Sequence, residues 1–475
     1  MSSFTTVIGL EVHVQLATHS KLFSPAPAAA LGEPNTRVHE IDLGLPGVLP
    51  RPNATAIALA VRTALALGGE VQLFSRFARK NYFYPDLPKG YQISQFEEPI
   101  CLGGNVPLGD GRSCRLHRIH VEEDAGKLVH GDLGTLVDLN RAGVPLVEIV
   151  SEPDLRHPGD AHTFLVKLRE ILRFAGVSDC DMELGSMRCD ANISLMPVGA
   201  TEYGTKVELK NLNSMKMVQR ALEYEERRQA AVLAAGGRIA PETRAWNDEA
   251  AESRPLRSKE TAPDYRYFPD PDLPPLVLEE ALLEEQRRAL GELPEARRER
   301  FRRDHGLPEH DVVVLTADRD VGDWFEALVA QGVDPKTASN WTMSDVLPAA
   351  RERGTALDVL PVTPARLAAL LGLLAGKELT QVSARRVFRH MLDRAEPADV
   401  AMRELGLSRI SDAASLQPLV DAAVLALPEA AAAVAAGKER AIDALKGHVM
   451  RATKGRADPA LVDDLLRAVI RARST

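Results

Sequence analysis

A strict alternation of apolar and polar residues near the N-terminus is the feature that most constrains the fold. Between Gly9 and Leu16, apolar residues alternate with Glu11, His13 and Gln15. Successive side chains of a β-strand point to opposite faces of its sheet, so the pattern predicts a strand with one buried and one open face. Glu11 and His13 would lie about 7 Å apart on the open face. Such a pair can bind a divalent cation, although a half-exposed surface strand shows the same pattern.

Two later segments of the first half repeat this alternation. Residues 187–195 and 206–210 would each present polar side chains on one face only. An antiparallel sheet with one face on the core and one face open has this pattern. The mixture of charges, amides and hydroxyls favours a surface that binds a charged ligand over one that is merely solvated. The polar residues are Arg188, Asp190, Asn192, Ser194, Lys206, Glu208 and Lys210.

Acidic residues in two unusual positions extend the candidate cation site. Glu148 interrupts the apolar segment 145–150, and a carboxylate there needs either a metal or a cationic side chain as its partner. Glu122, Glu123 and Asp124 are consecutive acids, and a bound cation would relieve their repulsion. An acidic surface turn is the alternative for them. Oxygen ligands with one imidazole favour Mg²⁺ or Mn²⁺ over zinc.

Aromatic and basic residues are concentrated in the segment 79–95. Tyr82, Phe83, Tyr84 and Tyr91 occur there, although the whole chain is only 5% aromatic. The prolines and the glycine between them favour a fixed loop. Cations suit phosphates and rings suit a base or a sugar, so the loop is typical of a nucleotide site. An aromatic loop packed under a sheet is the alternative.

Composition restricts the function classes. A chain of 475 residues with 45% hydrophobic and 26% charged residues predicts two or three globular domains. The net charge of -9 argues against wholesale binding of nucleic acid but allows a local basic surface. We expect a cytoplasmic protein, because the sequence shows no membrane span, no signal peptide and no CxxC pair. P-loop, Rossmann and nucleophile-elbow motifs are also absent, so any ATP chemistry needs another kind of site.

The chain changes character near residue 290. The first part is mixed, with short alternating segments and Gly/Pro turns, whereas the second part is rich in Ala, Leu, Arg and Glu with helical periodicity. Within the second part, Thr363 and Pro364 are a predicted helix start, and the Ala-rich segment 429–436 is a predicted helix. The sequence therefore predicts a mixed domain followed by helical ones.

A series of longer motifs closely resembles the B subunit of the tRNA-dependent aspartyl/glutamyl-tRNA amidotransferase, the GatB family. They occur in the family's order and spacing, and the resemblance covers essentially the whole chain. The motifs are residues 8–14, 80–86, 90–95, 122–127, 148–154, 188–194, 208–214 and 264–269.

This resemblance implies an α+β fold. The family has a cradle domain with a mainly antiparallel sheet, related to glutamine synthetase and guanidino kinases. An all-α helical domain and a small all-α YqeY-like tail follow. Carried over to this chain, the three domains would span residues 1–293, 294–406 and 407–475.

The resemblance also implies a ligase reaction that forms a carbon–nitrogen bond. ATP, with Mg²⁺, would phosphorylate the side-chain carboxylate of Asp-tRNA(Asn) or Glu-tRNA(Gln), and ammonia from glutamine would displace the phosphate. An amidase-type A subunit would release the ammonia, and a small C subunit would complete a heterotrimer. Which tRNA is the substrate stays open. A non-catalytic tRNA-binding scaffold and a glutamine synthetase-like small-molecule ligase are the alternatives.

Site residues follow by matching the motifs. The resemblance assigns the metal to Glu11, His13, Glu123 and Glu148, which with Lys80 would be the catalytic set. It assigns the ATP and aminoacyl pocket to Tyr82, Tyr84, Lys89, Tyr91, Ser186, Arg188, Asp190, Asn192, Lys206 and Lys210. Many members carry a zinc-binding cysteine cluster after the first strand, but residues 35–44 contain no cysteine. We therefore expect no structural zinc.

The C-terminal tail is basic within an acidic protein. Lys446, Arg451, Lys454 and Arg456 are followed by further arginines. Clustered cations suit a phosphate backbone, although a solvated helix face has a similar composition. Because the family's tail contacts tRNA, the resemblance favours a tRNA-binding role for these four residues.

Overall fold

The computed structural model describes residues 4–29, 32–131, 134–258, 264–407, 410, 412–453 and 455–474. The chain divides into two compact units, residues 1–296 and residues 297–475. The first unit contains the strands, and the second is helical. The α+β class is thus confirmed, while the three domain limits expected from the sequence stay predictions.

The strands in chain order are β1 (Phe4–Gln15), β2 (Glu70–Val71), β3 (Phe74–Ser75), β4 (Ala78–Asn81), β5 (Tyr91–Ser94), β6 (Cys101–Leu102), β7 (Asn105–Gly109), β8 (Arg112–Glu123), β9 (Lys127–Gly131), β10 (Gly134–Asp138), β11 (Pro145–Ser151), β12 (Met187–Pro197), β13 (Val207–Lys210), β14 (Glu242–Asn247), β15 (Glu252–Ser258), β16 (Phe268–Pro269) and β17 (Leu276–Val277). Ten of them form the main sheet, in the order β15-β14-β13-β12-β1-β11-β8-β6-β2, with β7 paired to β8. Neighbouring strands run antiparallel apart from the parallel pair β13 and β14. The expected mainly antiparallel sheet is confirmed.

The helices in chain order are α1 (Glu40–Leu43), α2 (Ala54–Ala66), α3 (Pro158–Phe174), α4 (Met215–Ala234), α5 (Glu280–Leu290), α6 (Pro294–His305), α7 (Glu309–Leu315), α8 (Arg319–Val329), α9 (Pro335–Trp341), α10 (Leu347–Arg353), α11 (Pro364–Ala375), α12 (Gln381–Arg394), α13 (Ala398–Glu404), α14 (Ala413–Ala426), α15 (Pro428–Ala435), α16 (Ile442–Ala452) and α17 (Pro459–Ser474). A π-helical turn, Thr342–Val346, joins α9 to α10. Thr363 caps α11 through its side chain, and Pro364 is the first residue of that helix, as expected.

The central strand β1 separates a buried face of the sheet from an open one. Leu10, Val12 and Val14 are at most 1% exposed, whereas Glu11 and His13 are half-buried. Helices cover the apolar face: α3 contacts β1, α4 contacts β12, and α2 contacts β8 and β11. Burying each such aliphatic side chain contributes about 1.5–3 kcal/mol. The polar face of β1 thereby remains available for a ligand.

The described residues of the second unit form two separate apolar clusters. One is formed by residues between 301 and 407, and the other by residues between 416 and 470. Among the described residues, no single helix is long and apolar enough to cross a membrane. Helices α14 and α15 meet the length and composition only as a pair bent by 95°. Leu416, Val420 and Ala423 of α14 are fully buried in the second cluster.

A fully buried ion pair fixes the segment after β1 in the first unit. The Lys21 ammonium lies 3.0 Å from Asp42 of α1, and their side chains are 0% and 4% exposed. The same carboxylate accepts a hydrogen bond from the His39 backbone N–H at 2.9 Å. Gly143 lines the pair at φ +84°, and a Cβ built there would lie 2.9 Å from an Asp42 oxygen. The pair therefore joins α1 to the chain around residue 21.

We expect Asp42→Asn to lower the free energy of unfolding of the first unit by about 3–5 kcal/mol, because it leaves the Lys21 charge buried without its counter-charge. Urea pulse proteolysis of the full chain measures this loss. Arg254→Gln is the matched control, since Arg254 forms an exposed pair with Glu252 whose loss should cost less than about 1 kcal/mol. Equal effects of the two substitutions would contradict the importance of the buried pair.

Candidate active site

Three neighbouring strands place polar side chains in a row on the open face of the main sheet. His13 of β1 pairs with Glu148 of β11, and Glu148 pairs with His120 of β8. Directly opposed residues of neighbouring strands project to the same face. Glu122 follows His120 by two residues and therefore shares that face. The four residues His13, His120, Glu122 and Glu148 are called the His/Glu cluster below.

The two imidazoles of the His/Glu cluster lie between its two carboxylates. Nε2 of His13 is 3.4 Å from Glu122 Oε1 and 3.5 Å from Glu148 Oε2. Nε2 of His120 is 3.2 Å from Glu148 Oε2 and 3.7 Å from Glu122 Oε2. Both carboxylates are buried, and buried carboxylates need cationic or hydrogen-bonding partners. Ser94 is a further hydrogen-bonding partner, because its hydroxyl donates to the Glu122 carboxylate at 3.0 Å.

These contacts shift the pKa values in opposite directions. Burial lowers the pKa of His13, but hydrogen bonds to Glu122 and Glu148 and attraction by both carboxylates outweigh burial and raise it to about 10. Burial raises the pKa of Glu148, but attraction and hydrogen bonds from His120 and His13 hold it well below its usual range. Burial also raises the pKa of Glu122, but hydrogen bonds from His120 and His13 outweigh burial and lower it. The carboxylates are therefore ionised at neutral pH.

The donor set of the His/Glu cluster fits a divalent cation. Ligand atoms of His13, Glu122 and Glu148 all lie within 4.8 Å of one another. Two ionised carboxylates with one imidazole suit Mg²⁺ or Mn²⁺. A bound cation would replace the charge that protonated His13 supplies to the two acids. Cation binding stays a prediction.

The set of four ligands expected from the sequence is not the set that the structure brings together. Glu123 projects from the opposite face of β8 to Glu122, where it forms an ion pair with Lys89 and accepts the Ile93 backbone N–H at 2.9 Å. Glu11 shares the open face with His13, but its carboxylate accepts the Asn192 amide at 2.9 Å. Of the four, only His13 and Glu148 belong to the cluster.

Lys80 of β4 is directed towards the His/Glu cluster. Burial lowers its pKa, but attraction by Glu122 and Glu148 outweighs burial and raises it. The Lys80 ammonium also lies 5.1 Å from the centre of the Tyr265 ring, in a cation–π contact. The lysine is therefore charged and positioned beside the two carboxylates.

Aromatic residues distant in sequence surround Lys80. β16 pairs with β4 and brings the segment 264–269 to this region. The Tyr265 ring contacts Tyr82 edge-on at 5.9 Å and Tyr267 at 6.1 Å, and Tyr267 stacks on Phe96 at 4.1 Å. Phe96, Tyr265 and Tyr267 line a cavity of about 560 Å³. Of the predicted pocket residues, Tyr82 belongs to this aromatic group.

Other predicted pocket residues form ion pairs along the open face. Arg188 lies opposite His13 and pairs with Asp124 at 2.8 Å. Lys210 pairs with Asp190 and lies 3.1 Å from Glu208. Ser186 precedes β12, and its hydroxyl accepts the Asp181 backbone N–H at 2.8 Å.

Three residues of the aromatic loop have contacts outside the His/Glu cluster. Lys89 pairs with Glu123 on the opposite face of β8. The Tyr91 ring lies 4.2 Å from the Arg79 guanidinium and 5.5 Å from the Lys89 ammonium. Tyr84 is 59% exposed. Their expected role in binding ATP stays a prediction.

A small pocket of about 280 Å³ lies beside the cluster on the open face. Glu11, Asn192 and Lys206 line it, together with Gly9 and Tyr203. Three predicted site residues therefore share one pocket, separate from the proposed cation ligands.

The four tail residues that were predicted to contact tRNA phosphates differ in their surroundings. Lys446 pairs with Asp463 at 2.7 Å, whereas Arg451 is exposed on α16. Arg456 donates from Nε to the Thr453 carbonyl at 3.1 Å. Lys454 lies outside the described residues.

The sequence pattern named Glu122 among three consecutive acids, but the family match assigned the metal to Glu123, and His120 was in neither set. Strand alternation could have singled out His120 and Glu122. Ile119 and Val121 are both fully buried, so they indicate which face of β8 is apolar. His120 and Glu122 must then share the open face, and Glu123 must not. The contacts of Tyr265 and Tyr267 carry no comparable local signal, because they depend on the long-range pairing of β16 with β4.

Two family models match the chain in sequence. The one described as the GatB/GatE catalytic domain covers residues 6–284, and the one described as the GatB domain covers residues 323–470. The first match contains the His/Glu cluster, Lys80 and the pocket around Glu11. The second contains the basic tail residues.

Curated relatives match over nearly the whole length of the chain. A protein of Thermoanaerobacter pseudethanolicus is 46% identical over 468 residues, which is 98% of each chain. A protein of Solidesulfovibrio magneticus is 48% identical over 473 residues, or 98% of this chain and 99% of the relative. Both are named as the B subunit of an aspartyl/glutamyl-tRNA(Asn/Gln) amidotransferase.

Proposed function

This chain belongs to the GatB family of tRNA-dependent amidotransferase subunits, and we propose that its first unit activates the side-chain carboxylate of Asp-tRNA(Asn) or Glu-tRNA(Gln) with ATP. The observation that carries this proposal is the His/Glu cluster beside Lys80 on an open sheet face. A glutamine synthetase-like small-molecule ligase would also need a charged cluster on an open sheet face. The helical second unit, however, favours a macromolecular substrate.

A carboxylate is a poor acyl electrophile until one of its oxygens becomes part of a leaving group. In the proposed reaction, a side-chain oxygen attacks the γ-phosphorus of ATP, and ADP leaves. Ammonia then attacks the acyl carbon, and inorganic phosphate departs with the oxygen of the former carboxylate. The amide product keeps the other oxygen.

The chain's own residues position charge for this transfer. Phosphoryl transfer depends mainly on positioning and on charge neutralisation. A divalent cation held by His13, Glu122 and Glu148 would neutralise phosphate oxygens. Lys80 adds a positive charge next to the cluster, and the Tyr265 ring contacts its ammonium group.

A partner protein would supply the ammonia. The relatives are named as B subunits, which implies a complex of several different chains. All four cysteines of this chain are buried, and burial raises the pKa of Cys101, Cys114 and Cys180 to about 12. A thiol with that pKa is a poor nucleophile for glutamine hydrolysis. We therefore propose a cytoplasmic heterotrimer with an amidase-type A subunit and a small C subunit.

Reconstitution with isotopic labelling tests the proposal. The three subunits are combined with glutamine, ATP, Mg²⁺ and Asp-tRNA(Asn) or Glu-tRNA(Gln) labelled with ¹⁸O in the side-chain carboxylate. We expect amidation, with ¹⁸O appearing in the inorganic phosphate. Amidation without labelled phosphate would exclude activation by phosphorylation. Amidation of free glutamate without tRNA would instead favour the small-molecule ligase.

The basic tail would contact the tRNA backbone through Arg451 and Arg456. Arg451 is exposed, and neither arginine has an ion pair among the described tail residues. By contrast, Arg467 pairs with Asp463 at 2.7 Å and with Glu439 at 3.1 Å. Cations without a local counter-charge are the better phosphate ligands, since no internal ion pair must be broken first.

We expect Arg451→Gln combined with Arg456→Gln to weaken tRNA binding and to reduce the dependence of log K on log salt by about 1.5–2. Filter binding at several salt concentrations measures both quantities. Arg467→Gln is the control within the tail and should change the slope by less than about 0.5. An unchanged slope in the double variant would exclude these two arginines as phosphate contacts.

A further inference from the structure

Arg118 is a positive charge on the open face of the main sheet that the proposed cation site does not use. It lies on β8 opposite Val150 of β11, and His120 lies opposite Glu148 in the same register. Arg118 and His120 are two residues apart on the strand, so they project to one face about 7 Å apart. The arginine therefore stands next to the His/Glu cluster, but a guanidinium has no acceptor atom and cannot be a ligand of the cation.

Arg118 has no counter-charge within the described ranges of the chain. It forms no ion pair and donates no hydrogen bond to any residue described there. By contrast, Arg115 of the same strand pairs with Asp154 at 2.8 Å. The Nε of Arg118 is buried without a partner, whereas its two terminal nitrogens are not buried. The terminal nitrogens are therefore free to donate hydrogen bonds to an incoming anion.

An aromatic ring, rather than an acid, holds the Arg118 side chain. Its guanidinium lies 5.6 Å from the centre of the Phe96 ring. Phe96 is itself fixed, because it stacks on Tyr267 at 4.1 Å with the ring planes 5° apart. A cation–π contact orients an arginine without neutralising its charge. Arg118 is thus positioned while its full charge stays available for a ligand.

Tyr267 connects Arg118 to the second positive charge near the cluster. Burial raises the pKa of Tyr267 and outweighs Lys80 and Arg118, which both lower it. Glu122 and Glu148 act on this pKa in the opposite direction to the two cations. The phenol therefore lies in the field of both cations and both carboxylates. Lys80 belongs to β4 and Arg118 to β8, so the two cations approach the cluster from different sheets.

We infer that Arg118 is a catalytic residue that donates hydrogen bonds to the γ-phosphoryl group of ATP while this group moves to the substrate. The inference rests on the proposed function and adds to it a residue outside the predicted site set. During the transfer, the bond from phosphorus to the leaving oxygen of ADP breaks, and a bond to the substrate's carboxylate oxygen forms. Negative charge is spread over the three other oxygens of the phosphorus, and Arg118 stabilises it without giving up a proton.

A phosphoryl group is the anion that best fits this arginine. A guanidinium can donate two parallel N–H bonds to two oxygens of one phosphoryl group. The chain has no P-loop whose backbone N–H groups could surround the phosphates, so side-chain cations have to neutralise them. Lys80 alone supplies a single charge. The substrate's carboxylate is the other anion of the reaction, but it carries less charge than the triphosphate.

Single-turnover amidation by the assembled complex, with saturating ATP and Asp-tRNA(Asn), tests this role. We expect Arg118→Met to lower the rate about 100- to 1,000-fold, as is usual for the loss of one charge-stabilising donor. Arg118→Lys should lose only about 10-fold, because an ammonium keeps the charge but not the paired donors. Arg115→Met is the matched control on β8, and the loss of its exposed pair should change the rate by less than about 2-fold.

Replacing one γ-oxygen of ATP by sulfur separates a contact with the phosphoryl group from a structural role. We expect the ratio of the rates with ATP and ATPγS to be at least about 5-fold smaller in Arg118→Met than in the wild type, because the contact that sulfur weakens is already absent. Mn²⁺ binding should keep the wild-type affinity, since Arg118 has no ligand atom for a metal. An unchanged ratio, or a loss of Mn²⁺ binding, would overturn the inference.

The steady-state parameters separate failure of this inference from failure of the proposed function. If the wild-type complex amidates and Arg118→Met is as active as Arg115→Met, the inference fails and the proposed function stands. A loss confined to KM for ATP or for Asp-tRNA(Asn) would also overturn the inference, because the contact would then be made before the transfer or to the tRNA. If the wild-type complex does not amidate, the proposed function fails and the inference fails with it.

Discussion

Glu148→Gln is expected to lower kcat for amidation by at least about 1,000-fold in the reconstituted complex. The substitution keeps the shape of the side chain but removes one of the two charges that face His13 and His120. Both histidines would then share the single carboxylate of Glu122, and the set of cation ligands would lose an oxygen anion. Glu122→Gln should have an effect of similar size for the same reason. Initial rates at saturating ATP and aminoacyl-tRNA measure both.

The matched control is Glu152→Gln. Glu152 also pairs with a histidine, His117, at 3.0 Å, but this pair is largely exposed, and no second carboxylate among the described residues pairs with His117. We expect its removal to change the rate by less than about 2-fold, as is usual for surface pairs. If Glu148→Gln and Glu122→Gln were as active as this control, the His/Glu cluster would have no catalytic part and the scaffold alternative would be favoured.

Lys80→Met is expected to lower kcat by about 100- to 1,000-fold, comparable with the loss of one charge-stabilising donor in other enzymes. Methionine keeps an unbranched chain between Tyr82 and Tyr265 but removes the cation beside Glu122 and Glu148. Single-turnover amidation with ATP bound in advance measures the effect on chemistry separately from ATP affinity.

Lys216→Met serves as the control for Lys80→Met. Lys216 is exposed on α4, the helix that covers the apolar face of the sheet. The complex that carries Lys216→Met should amidate at the wild-type rate. A loss confined to KM for ATP in Lys80→Met would show that the lysine binds the nucleotide without acting on the transferred phosphoryl group.

The sequence pattern of β1 was sufficient to predict its two faces. Strand periodicity is local, so the burial of Leu10, Val12 and Val14 could be derived without tertiary information. The open face with His13 followed from the same rule. The expected reaction and its site residues came from the resemblance to the GatB family, because the periodicity of one strand indicates neither.

The choice between Glu122 and Glu123 as a cation ligand stays a prediction, and the face of β8 that each side chain occupies is what separates the two residues. Adjacent strand residues point to opposite faces, so a displacement of one residue changes the face completely. Glu123 projects away from the cluster and pairs with Lys89, whose expected place in the ATP and aminoacyl pocket stays a prediction. The alternation around Val121 places Glu122 on the open face and Glu123 on the other face, once β8 is recognised as a strand up to its end.

Long-range pairing accounts for most of what the sequence could not predict. Tyr265 reaches Lys80 because β16 pairs with β4, which lies far away in the chain. The Lys21–Asp42 pair likewise depends on how α1 packs against the chain that follows β1. Neither contact follows from periodicity or composition, since both are set by tertiary packing.

Mn²⁺ binding by the full chain, measured by calorimetry or electron paramagnetic resonance, tests the central claim most directly. We expect Glu122→Gln to weaken Mn²⁺ binding at least about 10-fold, because Glu122 is a proposed ligand. Glu123→Gln should retain the wild-type affinity, because Glu123 faces away and contacts Lys89. Loss of binding in Glu123→Gln with full binding in Glu122→Gln would contradict the account and restore the ligand set expected from the sequence.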